Sequence, residues 1–199
     1  MARIILARHG ETEWNKLMRV QGGKSDIPLN DVGIAQAQGA RDFLETETFR
    51  AVYASPLCRA LETARIITQG RGLEITTLPE LVEIDAGEYE GIFTSDLGRR
   101  FSQVVTELDD NAELPCAPGG ESLSMVQERG WKTMEDIFAK HNGETVLVVT
   151  HYFVILAIIC KVLNLPLVNV SRFWMATGSI SAINLNGSVP RLEWFNLLP

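Results

Sequence analysis

The sequence predicts an α/β sandwich of three layers, with a mostly parallel central sheet and helices on both faces. Four short runs are continuously apolar or β-branched, which is typical of strands covered on both faces. They are "RIILA" from Arg3, "AVYA" from Ala51, "LEITTL" from Leu73 and "TVLVVT" from Thr145. Helical patterns lie between these runs, and strands that alternate with helices favour a parallel sheet. Two late runs, "SISAINL" and "RLEWFNLL", are separated by "NGSVP" and predict a hairpin that adds an antiparallel edge.

Three segments have the apolar spacing of an amphipathic helix. Their apolar positions are Val32, Ala35, Ala40, Phe43 and Leu44 in the first, Leu57, Ala60, Leu61, Ala64 and Ile67 in the second, and Leu123, Val126, Met134, Ile137 and Phe138 in the third. A fourth segment, "YFVILAIICKVL", is apolar nearly all round and predicts a central buried helix.

Length and composition indicate one ordered domain. The chain has 199 residues, of which 46% are apolar and 22% are charged, close to the averages for globular proteins. No linker rich in Pro, Gly or Ser divides it, so residues 1–199 are expected to form a single domain. The weakly patterned stretch 85–120 contains "DDNAELPCAPGGES" and is expected to form a loop or lid over one end of the sheet.

Charge and hydropathy argue against two classes of partner. The net charge is −7 and no basic stripe or tail is present, so nucleic acid is not expected. The apolar run from Tyr152 to Cys160 is shorter than the roughly 20 residues that cross a bilayer. The apolar part of "MARIILARHG" is too short for the apolar region of a signal peptide. The separated Cys58, Cys116 and Cys160 suggest neither a disulfide framework nor a thiolate metal site. A cytoplasmic protein without a membrane partner is therefore expected.

Arginine and histidine side chains follow three of the predicted strands. Arg8 and His9 follow the first strand, Arg59 lies in the opening turn of the helix that follows the second strand, and His151 follows the fourth strand. Ser55 is expected to be the N-cap of that helix. Ligands of open α/β sheets bind where the carboxyl ends of the strands meet, and a helix N-terminus there favours negative charge. The sequence therefore predicts an anion site at this edge.

Other interpretations of these residues carry less weight. A single His after a strand is usually structural, but three such coincidences at one edge are much rarer; His141 in "AKHNGE" is expected to be a solvated helix end. A zinc site is disfavoured because Arg8 and Arg59 would repel a cation, whereas guanidinium groups match phosphate oxygens. Neither the Walker pattern nor G-x-G-x-x-G is present. A phosphoryl pocket with an imidazole nucleophile remains, and no metal or cofactor is expected.

Several motifs, in the right order, resemble those of the histidine phosphatase superfamily, the phosphoglycerate mutase-like group. "RHGETEWN" resembles the signature of that superfamily. The other matching stretches are "QGGKSDIPLN", "SPLCRALETA", "EIDAGEYEG", "PGGES" and "VLVVTH". The resemblance covers nearly the whole chain.

The resemblance implies a role for each residue of the predicted site. His9 would become phosphorylated, while Arg8, Arg59 and His151 would surround the phosphoryl oxygens. Glu83 matches the general acid and base of the family, a choice that composition leaves open among Glu83, Asp85, Glu88 and Glu90. The implied substrate contacts are Asn15, Gln21 and Gly22, and Tyr152, which departs from the family's pattern, is a further candidate contact.

The chemistry implied for His9 requires a neutral ring nitrogen. Neighbouring Arg8 and Arg59 disfavour the protonated imidazole, and a backbone carbonyl could hold the proton of the other nitrogen. Tyr152 stands where the family commonly has glycine, so its ring is expected either to contact substrate or to pack in the core. Arg19 is either a substrate contact or a solvated side chain.

The implied reaction is hydrolysis of a small phosphomonoester. Mutase activity is less expected, because the chain lacks features of the family's mutases. Mutases of the family have a longer insertion and a lysine after the acidic motif; "EGIFTSDLGRR" has no such lysine, although Arg99 and Arg100 could replace it. The compact layout resembles α-ribazole phosphatases, with sugar or phosphoglycerate phosphatases as alternatives. A weakly catalytic phospholigand-binding protein is the alternative of another class. "RFWMA" and "WFNLLP" either form a homodimer patch or cap the core.

Overall fold

A six-stranded sheet forms the middle layer. The structure, a computed structural model, describes residues 2–96, 116–186 and 189–199. The strands lie in the order β3-β2-β4-β1-β5-β6. They are β1 (Ala2–Arg8), β2 (Phe49–Ala54), β3 (Ile75–Thr77), β4 (Thr145–Thr150), β5 (Ile180–Asn186) and β6 (Val189–Leu197). Strands β1 to β4 pair in parallel, whereas β5 and β6 add antiparallel pairs at one edge. The predicted fold class and closing hairpin are confirmed.

Helices cover both faces of this sheet. The helices of the described ranges are α1 (Glu13–Lys16), which buries no residue, α2 (Asp31–Phe43), α3 (Cys58–Ile67), α4 (Leu123–Lys140) and α5 (Tyr152–Val162), with short 3-10 turns at Pro79–Leu81, Gly87–Tyr89 and Leu167–Arg172. Ile4 and Leu6 of β1 belong to the core cluster that α4 and α5 complete. Ile5 and Ala7 belong to the opposite cluster, which contains residues of α2 and α3. This alternation explains why the strand sequence is continuously apolar.

The predicted apolar face of α2 is wrong in part. Val32 and Phe43 are 50% and 45% exposed, whereas the buried residues of the helix are Gly33, Ala37 and Ala40. The reason is a close backbone approach: a Cβ at Gly33 would lie 2.1 Å from the carbonyl oxygen of Glu11. Only small residues fit between α2 and the chain that follows β1, so the large side chains face outward.

Two expectations about helix ends are also wrong. Helix α3 begins at Cys58, and its N-cap is Leu57, so Ser55 lies before the cap. The backbone N–H of Cys58 instead donates to Asp26 Oδ1 at 2.7 Å. At the end of α4, His141 is 7% exposed rather than solvated, because its ring nitrogens bond Tyr53 Oη and Glu144 Oε2, each at 2.9 Å.

Part of the expected lid falls beyond what the structure describes. Residues 97–115 of the stretch 85–120, including Arg99 and Arg100, lie outside the described residues. None of the helices in the described ranges has the length and hydropathy needed to cross a bilayer.

Candidate active site

Two parallel neighbours, β1 and β4, bring the histidines together. Arg8 pairs with Thr150 in the register of these strands, and His9 N–H donates to the carbonyl of Thr150 at 3.1 Å. The residues that follow each strand are therefore adjacent, with the rings of His9 and His151 5.1 Å apart between centroids. The predicted meeting of strand ends is confirmed.

His9 is buried, and one of its ring nitrogens makes a hydrogen bond to the backbone. It is 3% exposed, and its Nδ1 lies 2.7 Å from the carbonyl oxygen of Gly10. That oxygen can only accept, so Nδ1 carries the proton and Nε2 keeps its lone pair. Burial, with Arg59 and Arg8 nearby, holds the pKa of His9 well below its usual value. The ring is thus neutral at physiological pH, as a nucleophile must be.

Arg59 is fully buried and anchored by backbone oxygens. Its Nη1 donates to Ser25 O at 2.6 Å and its Nη2 to Gly22 O at 3.1 Å. Burial lowers the pKa of Arg59, and burial lowers the pKa of Arg8 to about 10. Both guanidinium groups remain cationic at neutral pH. Arg8 is partly buried and donates to the carbonyl of Met175.

Several buried nitrogens in this region have no hydrogen-bond partner among the described residues. They are Arg8 Nε, Gln21 Nε2, Arg59 Nε and both ring nitrogens of His151. Gln21 is oriented by Thr12, whose hydroxyl donates to Gln21 Oε1 at 2.6 Å. Burial first, and then Arg59, hold the pKa of His151 well below its usual value. Because buried donors are normally satisfied, this cluster is suited to the oxygens of an anion.

Glu83 is the one carboxylate of its motif that is buried beside these groups. It is 4% exposed, and its Oε1 accepts from Ile84 N–H at 2.8 Å. Burial raises the pKa of Glu83, although two backbone hydrogen bonds and both site arginines oppose that shift. A carboxyl group of this kind is suited to proton transfer.

The other carboxylates of "EIDAGEYEG" have different partners. Asp85 pairs with Lys24 Nζ at 2.8 Å, and Glu88 is exposed. Glu90 accepts hydrogen bonds from Gly22 N–H, Lys24 N–H and Ser25 Oγ. Geometry therefore favours Glu83 where composition left four candidates.

Glu90 is a supporting residue that sequence reasoning missed. The loop whose amides it binds, residues 22–25, supplies the two carbonyls that hold Arg59. A Cβ at Gly22 would lie 2.6 Å from Ile84 O, so glycine permits the loop to pack under the acidic motif. Gly22 thus shapes the site through its backbone.

The remaining predicted contacts border one cavity of about 780 Å³. Asn15 lines it, although Asn15 Oδ1 also accepts from Thr12 N–H at 3.1 Å. Tyr152 lines it as well, and its hydroxyl donates to Phe173 O at 2.9 Å. The Tyr152 ring centroid lies 4.9 Å from Arg8 Cζ, a cation–π contact. Arg19 is partly buried and lines the cavity too, and its Nη1 donates to Gly91 O at 2.8 Å.

Trp174 and Met18 also line this cavity, and sequence reasoning did not place them there. The stretch "RFWMA" was expected either to form a homodimer patch or to cap the core, and neither expectation placed Trp174 at the cavity. In the described ranges, no group of three or more His, Cys, Asp or Glu side chains is arranged to hold a metal ion. Burial and Asp26 raise the pKa of Cys58 to about 11, so that thiol is protonated at neutral pH.

Comparison with known proteins gives one consistent result. A model of the histidine phosphatase superfamily (branch 1) matches residues 4–198. Phosphoserine phosphatase 1 of Hydrogenobacter thermophilus is 31% identical over 97% of this chain and 88% of its own length. The structure of a phosphoserine phosphatase mutant from Entamoeba histolytica in complex with phosphoserine has a TM-score of 0.87 and 28% identity, covering 98% of this chain and 97% of that one. The α-ribazole phosphatase of Shigella flexneri has a TM-score of 0.84 and 27% identity, covering 98% and 96%.

Proposed function

Because this chain belongs to the histidine phosphatase superfamily (branch 1) and is a phosphatase, we propose that it hydrolyses a small phosphomonoester through a phosphohistidine on His9. The observation that carries the proposal is the group formed by Arg8 Nε, Arg59 Nε and the ring nitrogens of His151, which have no partner among the described residues and surround a neutral imidazole. Cationic donors already fixed in position are what a phosphoryl group requires, because phosphoryl transfer depends chiefly on positioning and charge stabilisation.

In the first step His9 Nε2 attacks phosphorus, and the bond from phosphorus to the ester oxygen breaks. Arg8 and Arg59 stabilise the charge on the phosphoryl oxygens, and His151 donates one ring N–H. Glu83, with its raised pKa, transfers a proton to the departing alcohol oxygen. The products of this step are the free alcohol, phosphorylated His9 and the Glu83 carboxylate.

In the second step the Glu83 carboxylate takes a proton from water. The water oxygen attacks the phosphorus of phosphohistidine and breaks the bond to His9 Nε2. Inorganic phosphate leaves, and both His9 and Glu83 return to their starting protonation states. The Gly10 carbonyl keeps the His9 proton on Nδ1 throughout.

We propose a small phosphorylated metabolite as substrate, with α-ribazole 5′-phosphate as a first compound to test. The similarity to the Shigella flexneri enzyme supports that choice, and the similarity to phosphoserine phosphatases supports phosphoserine as its competitor. Asn15 and Gln21 are proposed substrate contacts, since both line the cavity that contains His9. We further propose that residues 1–199 act as one domain with the stretch 85–120 over the site.

The test is a turnover screen that separates hydrolysis from its alternatives. Purified protein in a chelator is given α-ribazole 5′-phosphate, phosphoserine, 3-phosphoglycerate and sugar phosphates, and both inorganic phosphate and phosphoryl-transfer products are measured. Release of phosphate with multiple turnovers supports the proposal. Isomerisation of 3-phosphoglycerate without net phosphate release supports a mutase, and saturable binding without turnover of any compound supports a binding protein.

A further inference from the structure

Residues 174–177 line the cavity, and the backbone of the segment 173–177 is held by the side chains of Tyr152, Arg8 and Asn196. The Tyr152 hydroxyl and Arg8 donate to the carbonyls of Phe173 and Met175. Asn196 Nδ2 donates to Trp174 O at 3.2 Å, and Asn196 Oδ1 accepts from Ala176 N–H at 2.9 Å. The segment is thereby tied to the phosphate-binding arginine and to β6.

Trp174 is nevertheless 68% exposed, although it is one of the residues that line the cavity. Met18, another lining residue, is 63% exposed and has a positive φ of 54°. A left-handed backbone at a residue other than glycine costs on the order of 1 kcal/mol and persists only where surrounding structure imposes it. Two large apolar side chains are thus presented to solvent at the same cavity by backbones that are held in place.

Several charged side chains near them already have partners. Arg19 bonds Gly91 and lies 4.3 Å from the ring centroid of Phe93. Asp85 pairs with Lys24, and Glu121 pairs with Arg129 at 2.9 Å. Among the described residues that line the cavity, therefore, the large uncovered surfaces at this point are apolar, not charged.

We propose that Trp174 is a specificity-determining residue whose indole stacks on a flat ring in the alcohol part of the substrate. The inference rests on the proposed function, because it places the phosphate on His9 and the alcohol beyond it. A planar, apolar group would cover surface that is now exposed to water, while an aliphatic fragment of a few atoms would leave the indole uncovered. The substrate class is a phosphomonoester of a ring-bearing alcohol.

The test compares 2-phenylethyl phosphate with ethyl phosphate, whose leaving alcohols are alike in chemistry apart from the ring. The wild-type protein is expected to have a higher kcat/KM for the phenylethyl ester. In Trp174→Ala the ratio of the two kcat/KM values is expected to fall by about tenfold, the upper range for one aromatic pair. Trp174→Phe should retain most of the ratio, and the change should lie in KM more than in kcat.

Phe43→Ala is the matched control, since Phe43 is an aromatic residue 45% exposed on α2 and does not line the cavity. It should leave the ratio as in the wild type. An unchanged ratio in Trp174→Ala overturns the inference, and so does a shift from dimer to monomer in sedimentation without a change in ratio, which would assign the indole to an interface.

A binding measurement keeps the inference separate from the proposed function. Calorimetric titration with 2-phenylethylphosphonate and ethylphosphonate requires no turnover, so the affinity ratio can be compared in the wild type and Trp174→Ala. If neither ester is hydrolysed but that ratio falls, the proposed hydrolysis fails and the stacking stands. If both esters are hydrolysed and neither ratio changes, the stacking fails and the hydrolysis stands.

Discussion

The backbone N–H of Phe153 lies 3.3 Å from both carboxylate oxygens of Glu83. Phe153 lies in the first turn of α5, the helix that begins directly after His151 of the candidate site. The N-terminus of a helix carries partial positive charge and unsatisfied N–H groups. The first turn of α5 therefore orients Glu83, and the same turn directly follows His151. The proposed proton donor is thus positioned by the segment that also carries a residue of the phosphate site.

Glu83→Gln is expected to slow hydrolysis of an alkyl phosphate by roughly 10²–10⁴-fold, the usual contribution of a positioned general acid. Glutamine can still accept the hydrogen bonds from Ile84 and Phe153 but cannot transfer a proton to the alcohol. The defect should be smaller for 4-nitrophenyl phosphate, whose leaving group needs little protonation. Rapid-quench measurement of alcohol release gives the rate of this step for each ester.

The control is Asp85→Asn, which removes a carboxylate of the same motif whose partner is Lys24. It should have a much smaller effect on both esters. An equal loss in Glu83→Gln for alkyl and activated esters, with chemistry rate-limiting in both, would show that Glu83 is not the proton donor.

The pH dependence of the first step follows from the directions of two pKa shifts. Glu83 donates only when protonated, and burial raises its pKa, so the rate falls as pH rises through a value above that of an ordinary glutamate. In the proposed mechanism His9 attacks only when neutral, and its pKa lies well below the usual value, so its protonation lowers the rate only at a pH below that at which an ordinary histidine titrates. The measurement is kcat/KM for an alkyl ester against pH.

The ratio of wild-type to Glu83→Gln rates isolates the glutamate, because ionisation of the substrate phosphate affects both proteins equally. That ratio should decrease as pH rises. A ratio independent of pH across this limb would remove Glu83 from the pH profile.

The strand ends could be predicted from sequence because the physics there is local. Continuous apolar runs locate buried strands, and parallel strands leave their carboxyl ends at one edge, so Arg8, His9 and His151 were predicted to meet and do. The motif "RHGETEWN" identified the family correctly. Glu83 required the motif, since its distinguishing feature is burial.

What could not be predicted depends on contacts between distant parts of the chain. Glu90 bonds the amide of Gly22, 68 positions earlier, and no local pattern indicates that pairing. The outward face of α2 arises because Gly33 packs against the backbone of Glu11. Tyr152 and Asn196 hold the backbone around the exposed Trp174 by hydrogen bonds. The periodicity of the sequence does not predict these contacts.

Phosphorylation is expected on His9 and on no other residue. Substrate labelled at phosphorus, quenched within the first turnover, should leave a base-stable and acid-labile label on the peptide that contains His9. His9→Ala should form no phosphoenzyme with any ester, since no carbonyl in the described part of the chain fixes the tautomer of the other nearby histidine, His151. Label on Ser55 or Cys58 would assign the nucleophile elsewhere.

Activity is expected to survive complete chelation. In the proposed mechanism Arg8 and Arg59 supply the positive charge that other phosphoryl-transfer enzymes take from magnesium. Hydrolysis rates are compared before and after dialysis against a chelator, with metal content measured. A loss of activity that magnesium or zinc restores would contradict this prediction.

Arg59→Lys provides the complementary test. A lysine keeps the charge but cannot make the two bonds to Gly22 and Ser25, so kcat/KM should fall even with metal added.

Asp26→Ala is expected to lower the free energy of unfolding by roughly 1 kcal/mol, the usual cost of losing a helix cap. Asp26 Oδ1 accepts from the first amide of α3 at 2.7 Å, across 32 positions of sequence, so the bond both caps the helix and fixes the loop whose Ser25 carbonyl holds Arg59. KM for a phosphomonoester should therefore rise together with the loss of stability.

Asp26→Asn keeps an acceptor oxygen, so it should retain most of the stability and most of the affinity for substrate. Ser55→Ala should cost less than Asp26→Ala in urea denaturation, because the bond that the Ser55 hydroxyl accepts from Leu57 N–H is longer, at 3.3 Å. A cost for Ser55→Ala equal to that of Asp26→Ala, or no recovery in Asp26→Asn, would contradict the assignment of the cap to Asp26.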